Sequence, residues 1–135
     1  MRILAVEDQP EYLEMLQMVM SSLGHSLIIA RNGIEAIRVM EKEKIDVIMS
    51  DVAMPKMDGL EFHKRIRSTP AHKETPFIFL TGTSNLKQVK EECTTKNDLL
   101  LQKPISVERL LKLFSGKITS QLESKNRKLP PSPRS

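Results

Sequence analysis

A single cysteine, Cys93, stands among the 135 residues, alongside no tryptophan, one tyrosine and four phenylalanines. One thiol excludes an intramolecular disulfide, so any fold must rest on an apolar core. No apolar run approaches the roughly 18 residues of a membrane span. The start MRILAVEDQP lacks a signal peptide's charged opening and long apolar stretch, and the expected compartment is the cytosol. Glycine and proline, 5 and 8 in number, are too few for a collagenous or low-complexity chain. An excess of one charge is also missing from most of the sequence, because residues 1–116 hold 16 Lys+Arg and 16 Asp+Glu. The surplus behind the net charge of +4 lies in 117–135, where Lys117, Lys125, Arg127, Lys128 and Arg134 oppose Glu123. A balanced body gives no support for direct nucleic-acid binding. His25, His63 and His72 share no ligand spacing with one another or with Cys93, and are read as surface residues.

What is present, 39% hydrophobic and 28% charged residues, fits one globular domain with a core of its own. Five short apolar runs, Arg2–Val6, Ser26–Ala30, Asp46–Ser50, Phe77–Leu80 and Leu99–Leu101, are too short for helices and read as strands buried on both faces. Between and after them lie Pro10–Leu23, Gly33–Lys42, Leu60–Arg67, Ser84–Thr95 and Ser106–Phe114, with apolar residues three and four apart. Pro10 suits a first helical turn, Gly24 a left-handed cap and Ser106 an N-cap. Met15, Met18, Met20, Met40 and Met49 fall at apolar positions and read as core filling, while Met54 and Met57 read as loop residues beside a site. Strict alternation of apolar strand and helix predicts a three-layer α/β domain around a parallel sheet. The domain is expected over 1–116, followed by a basic Pro/Ser-rich tail or interdomain linker over 117–135, with Ile118 and Leu122 able to extend the last helix.

In such sheets the ligand site lies beyond the carboxyl ends of the strands. Glu7 and Asp8 follow the first run, Asp51 the third, Thr81 the fourth and Lys103 the fifth. Each has an ordinary explanation alone. Paired acids favour a helix start, an Asp before Pro55 suits a turn, Thr81 with Gly82 can cap a helix, and a lone lysine is usually solvated. Their joint occurrence after separate strands points to one site. Three carboxylates in one crevice repel unless a hard cation neutralises them, and an all-oxygen donor set suits Mg²⁺ or Mn²⁺. With a hydroxyl and an ammonium beside them, they supply what phosphoryl transfer needs.

The pair Glu7-Asp8, the segment DVAMPKMDG from Asp51 to Gly59, Thr81-Gly82 and Lys103-Pro104 together resemble the receiver domain of two-component response regulators over about residues 1–115. The resemblance implies a flavodoxin-like, doubly wound five-stranded sheet of order 2-1-3-4-5 with five helices. It implies Asp51 as phosphoacceptor from a sensor histidine kinase or histidine phosphotransfer protein, and Glu7, Asp8, Asp51 and the Ala53 carbonyl as metal ligands. Thr81 would bond the phosphoryl oxygens, Lys103 would pair with their charge, and Pro104 would follow a cis peptide. Pro55 and Gly59 would shape the turn into the third helix, with glycine accepting a positive φ. Switching would involve Thr81 and Leu100, the latter standing where receivers usually carry Tyr or Phe, and would change the surface of the fourth helix, fifth strand and fifth helix. Lys96-Asn97 stand where a Gly-Ala pair is common, and Ala53 and Thr83 occupy the positions that tune phosphoryl lifetime. A downstream effector or a C-terminal output domain would read the switch, and dimerisation through the fourth and fifth helices is common in such domains. Two other classes compete: a phosphorylation-independent binding module on the same scaffold, and a phosphohydrolase of the haloacid dehalogenase kind. The second needs an Asp where Ala53 stands, and a cap domain for which the chain has no room.

Overall fold

Strands that are apolar at every position cannot leave a face in water, so helices must cover both sides of the sheet they form. In the computed structural model, which describes residues 1–93 and 95–117, five strands build one parallel sheet: β1 (Arg2–Val6), β2 (Ser26–Ala30), β3 (Val47–Asp51), β4 (Phe77–Thr81) and β5 (Asp98–Gln102). Their order is β2-β1-β3-β4-β5, as expected. The register sets Val6 beside Ala30 and Ser50, Asp51 beside Leu80, and Thr81 beside Gln102. The carboxyl ends of the strands therefore share one edge. The middle strands β3 and β4 are buried throughout, whereas most of β2 and much of β5 are partly exposed. These last two are the edges of the sheet, and an edge strand has a neighbour on one side only.

The helices are α1 (Pro10–Ser22), α2 (Gly33–Lys42), α3 (Gly59–Ser68), α4 (Leu86–Glu92) and α5 (Val107–Lys112), the last running into a π turn over Leu113–Lys117. Met1–Ile105 forms one compact unit, and the chain from Ser106 a second. Within the first unit, alternate strand residues face opposite ways. Leu4, Val6, Ile48, Phe77 and Phe79 join Ala36 and Met40 of α2, Phe62 and Ile66 of α3, and Val89 of α4 in one buried cluster. Leu13, Leu16, Val19 and Met20 of α1, buried but outside that cluster, cover the other face.

Local chemistry sets the helix ends. Asn32 Oδ1 accepts from Glu35 N at 2.9 Å to cap α2, and Asp58 Oδ1 accepts from Glu61 N at 2.9 Å to cap α3. Ser106 accepts from Arg109 N at α5, and Gly24 takes φ +80° after α1, both as expected. The fourth helix is shorter than its apolar spacing suggested. Thr83–Asn85 form a 3-10 turn ahead of it, and Cys93 leaves helical geometry after it. The expected helical extension at Ile118 and Leu122, and the tail beyond Lys117, lie outside the described residues.

Three expectations are corrected. Met18 is 57% exposed, because it falls on the outer face of α1 between the inward-facing Leu16 and Val19. Gly59 has no positive φ; among the described residues Gly24 and the non-glycine Lys56 (φ 71°) have one. His63 is buried, 2% exposed, rather than on the surface.

Candidate functional site

At the carboxyl edge of the sheet, Glu7 follows β1 and is fully buried, Asp8 beside it is exposed, and Asp51 closes β3, nearly buried. Each offers an oxygen, and the three oxygens lie within 4.8 Å of one another. Lys103, just past β5, sets its Nζ 3.3 Å from both Glu7 Oε1 and Asp51 Oδ2. Asp51 Oδ1 accepts from the Val52 amide at 2.8 Å, and Glu7 Oε2 accepts from the Gln9 amide at 3.1 Å. Glu7 Oε1 is buried without a hydrogen-bond partner, since the Lys103 contact is an ion pair of poor hydrogen-bond geometry. A buried carboxylate oxygen with a spare lone pair, facing two further carboxylates, fits a hard cation. Burial, and then the neighbouring Asp51 charge, raise the pKa of Glu7 above the ordinary carboxylate value, with Lys103 opposing.

Thr81 ends β4, fully buried, with its hydroxyl donating to the Gly82 carbonyl at 3.1 Å. Its own carbonyl accepts from Lys103 N at 2.7 Å, which ties the ends of β4 and β5 together where the site lies. The Lys103-Pro104 peptide is cis, as expected. Leu100 pairs with Phe79 and packs partly buried on the core cluster, while Ala53 is exposed in the loop after β3.

That loop is held by close backbone approaches. Gly59 N donates to Val52 O at 2.8 Å, and a Cβ on Gly59 would stand 2.2 Å from the Asp51 carbonyl oxygen. Close approach, not φ, is therefore what requires glycine here. Across the loop, Gly33 N donates to Met57 O at 3.1 Å, and Met57 is buried on Gly33. Met57 N donates back to Pro55 O at 2.8 Å around Lys56, whose positive φ is costly for a residue with a Cβ. Gly59→Ala is expected to displace the Asp51 backbone and to cost about 1–3 kcal/mol. A lower melting temperature would bear this out, and an unchanged one would overturn it.

Sequence reasoning missed two groups of residues. Lys103 Nζ also donates to Gln9 Oε1 at 3.0 Å and lies 4.4 Å from the centroid of the Tyr12 ring. The signal available was spacing, since Gln9 and Tyr12 are three residues apart at the start of α1. The second group sits at the opposite, amino-terminal edge of the sheet. His63 Nε2 lies 2.8 Å from Asp98 Oδ1 and its Nδ1 3.2 Å from Glu92 Oε2. Both ring nitrogens thus have a carboxylate oxygen within hydrogen-bond distance. Phe77 and Phe79 flank the ring at 4.8 and 5.0 Å between centroids. Arg67 Nη2 and Nε reach the same Asp98 oxygen at 2.6 and 3.2 Å, and its Nη1 donates to Thr75 O at 2.8 Å. Burial would raise the Asp98 pKa, but the hydrogen bonds from His63 and Arg67 outweigh it and hold the carboxyl at about 2. Burial first, then the Asp98 and Glu92 charges, push the nearby Cys93 thiol up to about 11, so almost no thiolate is present at neutral pH.

A parallel sheet of this order, with three clustered carboxylates and a lysine reaching two of them at its carboxyl edge, defines a flavodoxin-like α/β domain. Residues 3–115 match the model of the response regulator receiver domain, and the chain belongs to that family. It is 34% identical over 111 residues to the response regulator MprA of Mycobacterium leprae, covering 82% of this chain and 48% of that one. The chain thus spans about half the length of the curated relatives of this kind. Among solved structures, the chemotaxis response regulator CheY4 of Vibrio cholerae superposes with a TM-score of 0.74 at 34% identity, over 87% of this chain and 97% of that one. The receiver domain of the sensor histidine kinase PA1611 from Pseudomonas aeruginosa superposes with a TM-score of 0.75 at 30% identity, over 87% and 97% of the two chains, and holds a magnesium ion in its active-site cleft. No helix among the described residues is long and apolar enough to cross a membrane.

Proposed function

We propose that the chain is a cytoplasmic phosphoacceptor switch, taking a phosphoryl group on Asp51 from a phosphohistidine of a kinase or phosphotransfer protein. The observation that carries this reading is Lys103 Nζ, held 3.3 Å from both Asp51 and Glu7 beside three carboxylate oxygens within 4.8 Å. An oxygen of the Asp51 carboxylate attacks phosphorus, the P–N bond breaks, and the electron pair stays on the donor's imidazole nitrogen. Lys103 neutralises charge on the phosphoryl oxygens, and the Val52 amide keeps Asp51 oriented. Thr81 turns its hydroxyl from the Gly82 carbonyl to the new acceptor oxygens, carrying the end of β4 with it. Glu7, Asp8, Asp51 and the Ala53 carbonyl are the residues that would hold Mg²⁺ or Mn²⁺, which supplies positive charge to an associating dianionic group.

The receiver reading covers 1–116, with 117–135 as tail or linker, and the output surface includes α4 and β5, offered to an effector, an output domain or a second copy. Leu100 changes rotamer there with less volume change than an aromatic would. Loss of the phosphoryl group is slow, because Ala53 carries no side-chain group to orient a hydrolytic water. The half-life of the phosphorylated form should shorten severalfold in Ala53→Asn, and an equal or longer half-life in that variant would refute this account. The whole reading is tested by intact mass after incubation with acetyl phosphate. A single phosphoryl added with Mg²⁺ and not with EDTA supports it. No adduct in a folded chain overturns it in favour of a phosphorylation-independent binding module.

A further inference from the structure

Gln9, the residue before α1, accepts from the Tyr12 and Leu13 amides with its carbonyl, and its side chain makes no capping hydrogen bond. Instead its Oε1 accepts from Lys103 Nζ at 3.0 Å, across 94 residues of sequence. One turn further on, the Tyr12 ring lies under the same ammonium at 4.4 Å. The Lys103 side chain is 14% exposed, while Gln9 stands at the surface. A lysine stem has four rotatable bonds, and an ammonium attracted only by two carboxylates could serve either. A ring face on one side and an amide oxygen on another remove that freedom.

We propose that Gln9 and Tyr12 are positioning residues for Lys103, fixing its ammonium between Glu7 and Asp51 before a phosphoryl group arrives. This rests on the phosphoacceptor reading for its consequence, but the positioning itself is a property of the resting chain. Without the ring, the lysine must be ordered during phosphoryl transfer rather than beforehand, so the rate suffers and donor binding does not. Tyr12→Phe keeps the ring face, whereas Tyr12→Leu keeps an apolar group of similar reach and removes the quadrupole.

Two measurements on the full chain separate the claims. In NMR, the Lys103 ε-methylene protons are expected well upfield of ordinary lysine values, with the shift retained in Tyr12→Phe, lost in Tyr12→Leu and reduced in Gln9→Ala. Ordinary values in the wild type would overturn the positioning whether or not phosphoryl transfer occurs. In kinetics with acetyl phosphate and saturating Mg²⁺, the maximal rate of phosphoryl uptake is expected to fall about three- to tenfold in Tyr12→Leu, the size of a partly buried cation–π contact. The donor concentration for half-maximal rate should stay unchanged and Tyr12→Phe should recover the rate. A wild type that accepts phosphoryl and a Tyr12→Leu variant that matches it would sink the proposal. A wild type with the upfield shift and no phosphoryl uptake would sink the functional reading and leave the positioning standing.

Discussion

Asp51→Asn is expected to abolish the phosphoryl adduct completely under conditions that label the wild type. An amide oxygen lacks the negative charge that attacks phosphorus, and its nitrogen lone pair is delocalised, so no nearby group restores the nucleophile. Glu7 is pinned through the Gln9 amide and Asp8 is exposed, and both follow β1 whereas Asp51 closes β3. The same variant should start more stable without metal and respond to metal less than the wild type. Without Mg²⁺, removing one of three carboxylates relieves repulsion on buried Glu7, whose pKa is raised in part by Asp51, and the melting temperature rises. With Mg²⁺, the wild type gains stability by mass action while the variant gains less. Mass spectrometry and thermal melts with and without EDTA check both halves. A phosphoryl group still present on the variant would place the acceptor elsewhere.

Asp98→Asn is expected to cause the largest loss of stability, about 3–5 kcal/mol, the usual cost of removing one partner from a buried charge cluster. Asp98 has a fully buried side chain that accepts from His63, from Arg67 and from Thr95. Its neutralisation leaves the Arg67 guanidinium and the buried His63 ring facing an amide. For a domain of this size the loss corresponds to a fall in melting temperature of roughly 10–20 °C. The pH dependence follows from the same group. Asp98 is held at about 2 against an ordinary 3.8, so its contribution is fully present above about 4 and disappears as the pH falls through 2. That difference is worth about 2 kcal/mol. Glu7, whose pKa is raised, acts in the opposite direction, since its protonation on acidification favours the folded chain. Chemical denaturation between pH 5 and 2 should therefore show the wild type losing stability below 4, with a shallower loss in Asp98→Asn. Equal slopes would mean that another acid carries the transition.

His63 explains why this cluster escaped a reading by spacing. Its ligands come from α4 and from the start of β5, 29 and 35 residues away, and nothing in the local pattern of α3 distinguishes it from a surface histidine. Asp98 looked like a boundary residue before three leucines, although it is the first residue of β5 and opposite Phe77. The four-residue step from His63 to Arg67 on one helix face was the available hint.

The sequence by itself determined the five strands, the order of elements and the set Glu7, Asp8, Asp51, Thr81 and Lys103 at one edge. Apolar runs and helical spacing are local consequences of burial, and a parallel sheet sends the ends of its strands to a common edge. Only the tertiary structure decided what each polar group touches. The reason is that hydrogen bonds and ion pairs have ranges of about 3 Å, far shorter than the placement that periodicity supplies. Gly59 is required because Asp51's carbonyl passes 2.2 Å from where its Cβ would be, and the Gln9 side chain meets Lys103 across 94 residues of sequence. Those distances belong to the packed sheet, and no stretch of the chain contains them.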